Sequence, residues 1–128
     1  MKILIITNGK DDHARVVADG LERRGCTLIR WMSEEFLFNQ KSKLHIGATG
    51  QISSKINSNN LTINFEEIDV VWLRRPAYPR MPRNISNQDR RFIIDENRIN
   101  LKTLWFMLEK MARWANPFSS ARIFCTLG

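Results

Sequence analysis

The hydrophobic positions of this chain change rhythm along its length. KILIIT (2–7) is a nearly unbroken apolar run. Such a run predicts a central parallel strand covered on both faces. A polar turn, NGKDD, follows, in which Asp11 or Asp12 caps the next helix. In HARVVADGLERRG (13–25), Ala14, Val17, Ala18 and Leu21 recur at helical spacing, and Gly25 stands where a left-handed C-terminal cap belongs. CTLIRWM (26–32) reads as a second strand. Strand, helix, strand is a crossover unit, normally right-handed, with its strands parallel.

KLHIGATGQISSKIN (43–57) has two short alternating runs around GATG, where Gly47 and Gly50 permit a turn. This predicts an antiparallel hairpin. A short strand near Leu61 to Phe65 comes next, and DVVWLRR (69–75) reads as a third long strand, again apolar on both faces. After three prolines, Ser86 and Asp89 form a capping-box-like start, with Asp where Glu or Gln is usual. The helix they open runs over about residues 87–112, with Ile94, Leu101, Leu104, Leu108 and Met111 as its apolar stripe. Glu109 and Arg113, four positions apart, make a supporting pair on it. WANP leaves the helix, because Pro117 disfavours helical geometry at Asn116. The expected fold is α/β: an open, mostly parallel sheet with helices on both faces and a β-hairpin insertion.

A chain of 128 residues forms one domain and buries enough surface to fold without a disulfide or metal. Cys26 and Cys125 are far apart and in no metal-ligand spacing, so one of them is expected as a small core residue. The opening apolar run is too short for a signal peptide or a membrane span, which places the chain in the cytoplasm with no membrane contact. The net charge of +7 fits an Arg-rich face, or an anionic partner such as nucleotide phosphate, nucleic acid or acidic peptide. Trp31, Trp72, Trp105 and Trp114 fall in or beside strands and the long helix. They read as core rather than as base-stacking platforms, which makes nucleic acid an unlikely partner.

Several chemistries are excluded on spacing. A dinucleotide fingerprint needs three glycines after the first strand, and TNGKDDHAR has one glycine and two aspartates that would repel phosphate. A phospho-receiver domain would place an aspartate at the end of a later strand, where Arg74 and Arg75 stand instead. His13 reads as an exposed first-turn residue and His45 as an outer-face residue of the hairpin, neither with a Cys or Ser partner. Asp95, Glu96 and Asn97 fit a solvated helix face better than a metal site. No catalytic residue and no metal ligand is assigned.

What remains is WLRRPAYPRMPR. In open α/β sheets ligands collect outside the carboxyl ends of the strands. Arg74 and Arg75 are expected there, on a proline-stiffened loop, offering planar forks of donors to carboxylate or phosphate. Strand alternation lets only one of them face the cleft. The competing structural reading has them bridging Asp69 or Glu66. If the cleft reading holds, Arg74→Ala leaves folding nearly unchanged.

In this order and spacing, KILIIT, VVWLRRP with its following YP, DRRFIIDENR and WANP resemble the N-terminal pre-ATP-grasp domain of ATP-grasp ribosomal peptide maturases. These are microviridin-type ligases, relatives of glutathione synthetase. The resemblance covers about residues 1–118. It implies a pre-ATP-grasp, Rossmann-like domain over 1–115, with 116–128 as a linker or the truncated start of the ATP-grasp domain. It further implies a parent enzyme that uses ATP and Mg to activate a side-chain carboxylate for attack by an amine or hydroxyl. This chain is then the substrate-cleft domain, binding no cofactor itself and inactive alone. Its partners are the missing catalytic domain, a precursor peptide and, among the assemblies it allows, a second copy in a homodimer. Carried over, Arg74, Arg75 and Arg80 are the substrate-binding residues. The alternative function is a stand-alone, non-catalytic module that binds a peptide or acidic partner.

Overall fold

The computed structural model describes residues 1–35, 40–58, 61–77, 81 and 83–116. Seven strands and two α-helices lie among them. The first strand, β1 (Lys2–Thr7), leads into α1 (Asp12–Arg23) and then β2 (Thr27–Met32). The hairpin strands are β3 (Gln40–Ile46) and β4 (Ile52–Ser58), and β5 (Thr62–Asn64) extends them. Then come β6 (Val70–Leu73), α2 (Asn87–Met111) and β7 (Arg113–Trp114). The parallel sheet has the order β2-β1-β6-β7, and the antiparallel sheet the order β3-β4-β5.

The unbroken apolar run of β1 serves two opposite layers, as expected for a strand covered on both sides. Ile3 and Ile5 point to α1, where they meet Ala14 and Ala18. Leu4 and Ile6 point the other way, into the larger core with Trp31, Val71, Leu73 and the inner face of α2. Ile56 and Ile63 of the antiparallel sheet close that core from the side. Trp31, Trp105 and Trp114 are buried in it, while Trp72 is half-buried on the α1 side. Cys26 is half-buried beside the α1 layer, and Cys125 lies outside the described residues. Among the described residues no helix is long and apolar enough to cross a membrane.

Both helix caps form as expected. The Asp11 carboxylate accepts from the Ala14 N–H, and the Ser86 hydroxyl accepts from the Asp89 N–H. Gly25 adopts φ +88° after α1, with Gly25 N–H donating to Glu22 O and Cys26 N–H to Leu21 O. These bonds satisfy carbonyls that the helix end would otherwise leave open.

Four expectations are corrected. Val17 is 42% exposed: α1 rests on the sheet through small Ala14 and Ala18, and Val17 falls beside that line. β6 has four residues rather than seven, because the ladder to β1 stops after Arg74 N–H donates to Ile6 O. Chain after α2 is a strand, β7, pairing with Val70 and Val71. Two residues are too few to show a strand period in sequence. Arg113 therefore belongs to the sheet, and the helical i, i+4 geometry proposed for Glu109 and Arg113 does not apply. Asn116 finishes β7 by bracketing Leu73: its Oδ1 accepts from Leu73 N–H at 3.0 Å, and its Nδ2 donates to Leu73 O at 2.6 Å.

Candidate functional site

All four strands of the parallel sheet deliver their carboxyl ends to one rim. Strand order reverses at β1, whose neighbours are β2 on one side and β6 on the other. The crevice between the ends of β1 and β6 is thus the switch point where an open sheet receives ligands. The loop after β1 brings Asn8, Gly9 and Asp11 to it, and the loop after β6 brings Arg74 and Arg75.

The second loop is fixed at three successive points. Arg74 N–H donates to Ile6 O at 2.9 Å. Arg75 O accepts from Asn8 Nδ2 at 2.8 Å. Ala77 is clasped by the buried Ser33 hydroxyl, which donates to Ala77 O at 2.8 Å and accepts from Ala77 N–H at 3.0 Å. Gly9 N–H, on the first loop, donates to Glu34 Oε1 at 2.7 Å. Backbone held this way presents its side chains with little ordering left to do on binding.

The two arginines part company, as alternation predicts. Arg74 turns inward: its Nε lies 3.5 Å from Asp11 Oδ2, and its side chain is 26% exposed. That Nε is buried and makes no hydrogen bond, so its attraction to the carboxylate is electrostatic. The guanidinium carbon also sits 5.9 Å from the Trp72 ring centre, a cation–π distance. Arg75 is exposed. Among the described residues no hydrogen bond or ion pair engages its guanidinium. Arg80 lies outside the described residues.

Asp11 is the hinge of this arrangement. Its Oδ2 accepts from the Thr7 hydroxyl at 2.7 Å, and its Oδ1 from Ala14 N–H at 3.2 Å. Burial is the largest single influence on its carboxyl and raises the pKa. The Thr7 hydroxyl, the Ala14 N–H and the charges of Arg74 and Arg75 together outweigh it and hold the group below the ordinary aspartate value. Sequence reading found the cap and missed the pairing with Arg74, looking instead to Asp69 and Glu66. Asp69 accepts from the Lys2 backbone N–H at the opposite end of the sheet. Asp11 could have been found, because it stands in the short loop after β1 and Arg74 directly after β6, and the two strands are neighbours. Arg74 thus has a structural partner, and Arg74→Ala is no longer expected to leave folding untouched.

The site is poor in the groups that hold nucleotide or metal. The first-turn N–H of α1 is already taken by Asp11, so a phosphate approaching that helix end would meet a carboxylate. Among the described residues no three His, Cys, Asp or Glu side chains cluster as a metal site. The rim offers guanidinium donors and a fixed loop, which suit an anionic group brought by another molecule or lobe.

Residues 2–122 match the family described as the MvdD pre-ATP grasp domain. The chain belongs to that family. No curated protein is similar to it in sequence. Among solved structures, the pre-ATP-grasp domain is similar to macrocyclase MdnB from Microcystis aeruginosa MRC, with TM-score 0.81 and 22% identity over 92% of this chain. It is also similar to macrocyclase MdnC of the same organism bound with precursor peptide MdnA, with TM-score 0.79 and 22% identity over 93% of this chain. In both cases it spans 38% of the larger protein. A Chryseobacterium gregarium RiPP-associated ATP-grasp ligase in complex with ADP and a leader and core peptide matches 90% of the chain and 34% of its own, at TM-score 0.75 and 24% identity. At these identities the likeness is one of fold.

Proposed function

We propose that this chain is the N-terminal, substrate-cleft domain of an ATP-dependent carboxylate–amine or carboxylate–hydroxyl ligase that modifies a ribosomal peptide in the cytoplasm. The domain occupies residues 1–115, and 116–128 lead toward a catalytic ATP-grasp lobe. The observation that carries the reading is the switch-point rim: a loop clamped to the ends of β1 and β2 presents Arg75 outward and holds Arg74 on Asp11.

In this reading the peptide carboxylate takes the terminal phosphoryl group of ATP, releasing ADP. A nucleophile then attacks the acyl carbon, phosphate departs and the nucleophile loses its proton. In this reading ATP and Mg are held by the catalytic lobe. This domain's share is electrostatic: Arg75 meets the anionic carboxylate or phosphoryl group across the cleft, Arg74 adds its charge from its place on Asp11, and Arg80 is the third substrate-binding residue of this reading. The 128 residues alone are inactive. Supplying the ATP-grasp lobe, Mg–ATP and precursor peptide should yield a product lighter by one water per bond, read by mass spectrometry. In that system Arg75→Ala should lower turnover roughly ten- to hundredfold, since a hydrogen bond to a charged group is worth about 1.5–3 kcal/mol. Its urea midpoint should stay where it was. Unchanged turnover would remove Arg75 from the cleft.

The same reading has the domain meet a second copy of itself. Phe92, Ile99 and Phe106 of α2 are each at least half exposed and stand seven residues apart, forming one outward stripe. An antiparallel pairing centred on Ile99 would set Glu96 of one copy against Lys102 of the other. Sedimentation over a range of concentrations checks this; a monomer throughout would remove it.

A further inference from the structure

The antiparallel sheet carries a charge arrangement that the fold does not explain. In the register of β3 and β4, Lys43 stands directly opposite Lys55. Lys41, opposite Asn57, and His45, opposite Ser53, lie on the same face. Like charges directly opposite on a sheet destabilise it. Among the described residues neither lysine has an ion pair. Lysines on an exposed edge strand discourage unwanted pairing, which accounts for Lys41 and Lys43. It does not account for Lys55, which lies on the central strand β4.

That face holds a hollow of about 640 Å³, lined in part by Lys43, His45, Ser53, Lys55, Asn64 and Glu66. Beside it, β3 is the edge of its sheet, and Lys41 through Ile46 are all exposed. The opposite face of the same edge is apolar: Leu44, Ile46 and Ile52 are 57%, 64% and 50% exposed. The edge therefore offers main-chain partners in the middle, cations on one side and hydrocarbon on the other.

We infer that β3 and the lysine face beside it bind an extended peptide segment in which acidic and apolar residues alternate, added to the sheet as a fourth strand. Alternate side chains of such a strand point to opposite faces. Its carboxylates reach Lys41, Lys43 and Lys55, and its apolar residues cover Leu44 and Ile46. Main-chain bonds supply affinity and the two faces supply selectivity. Peptide suits the site better than nucleic acid, because the lining residues include no arginine and His45 is their one ring able to stack on a base. The inference rests on the peptide part of the proposed function and not on its ligase part.

The test uses the 128-residue chain with a labelled peptide of alternating glutamate and valine, about eight residues long to match a strand, read by fluorescence anisotropy at low salt without ATP. The wild type should bind it and should not bind the lysine–valine counterpart. Lys43→Glu and Lys55→Glu should each weaken binding about tenfold or more. Yet Lys43→Glu should raise the urea midpoint, because it turns a like-charged cross-strand pair into an opposite one. A variant both more stable and unable to bind is an outcome that a purely structural lysine would not give. Four outcomes overturn the inference: no binding by the wild type, a lowered midpoint for Lys43→Glu, equal binding of a peptide whose backbone N–H groups are methylated, or tighter binding of a single-stranded oligonucleotide. Peptide binding without ligation in the reconstituted system would leave it standing and remove the ligase reading alone.

Discussion

Replacing Asp11 with alanine should cost about 2–3 kcal/mol, seen as a lowered urea midpoint at neutral pH. Three groups lose a partner at once: the Thr7 hydroxyl, the Ala14 N–H and the Arg74 guanidinium. Loss of an N-cap alone costs about 0.5–2 kcal/mol. Stranding a half-buried cation adds to that, though by less than in a sealed core, because Arg74 keeps a quarter of its exposure. Asp11→Asn separates the contributions. The amide oxygen still caps α1, while the negative charge is gone, so about 1 kcal/mol should be lost. If Asp11→Asn costs nothing, charge does not hold Arg74 in place, and the guanidinium is available to substrate.

The wild type should also lose stability on acidification in a way Asp11→Asn does not. The carboxyl binds a proton less readily when folded than when unfolded. Its stabilising share is complete above the unfolded aspartate value of about 3.9 and drains away as pH falls toward the lower folded value. Urea midpoints at neutral pH and near pH 3, compared between the two proteins, measure that share. Parallel declines would mean that other carboxyls carry the acid sensitivity.

Sequence pattern reached far into this fold, for reasons visible in particular residues. The apolar run of β1 and the stripe of Leu101, Leu104 and Leu108 reflect burial with a strict period, and both elements stand where that period puts them. The hairpin followed from Gly47 and Gly50, of which Gly50 takes φ +84°. β7 was illegible because two residues have no period, and because what fixes it is Asn116 reaching back to Leu73, 43 positions away. The rim was half legible. Arginines after a β-strand could be placed at its carboxyl end, but which acid meets Arg74 depends on strand order. Ser33 and Asn8, which clamp the loop, gave no signal beyond being polar residues just past a strand.

Trp31→Ala should be the most damaging single change in the domain, at about 3–5 kcal/mol. The side chain is fully buried. Its ring lies 6.3 Å from both Phe65 and Trp105, tilted to the first and nearly perpendicular to the second. Its indole N–H donates to Gln40 Oε1 at 2.9 Å, and Gln40 returns a bond to Met32 O at 3.3 Å. One residue of β2 therefore touches α2, the turn after β5 and the first residue of β3, and so welds the antiparallel sheet to the parallel one. Against a total stability of about 5–15 kcal/mol, the loss brings the chain close to unfolding. Trp31→Phe is the informative companion. It keeps much of the packing but leaves Gln40 Oε1 without its donor, at about 1–3 kcal/mol. Hydrogen exchange locates the damage. If the weld is real, amides of β3, β4 and β5 lose protection first in Trp31→Phe, while those of β1 keep theirs. Peptide binding at the lysine face should weaken with them, although no lysine has changed. Equal loss of protection in both sheets would mean that the indole stabilises the domain as a whole, and the hairpin sheet would need some other anchor.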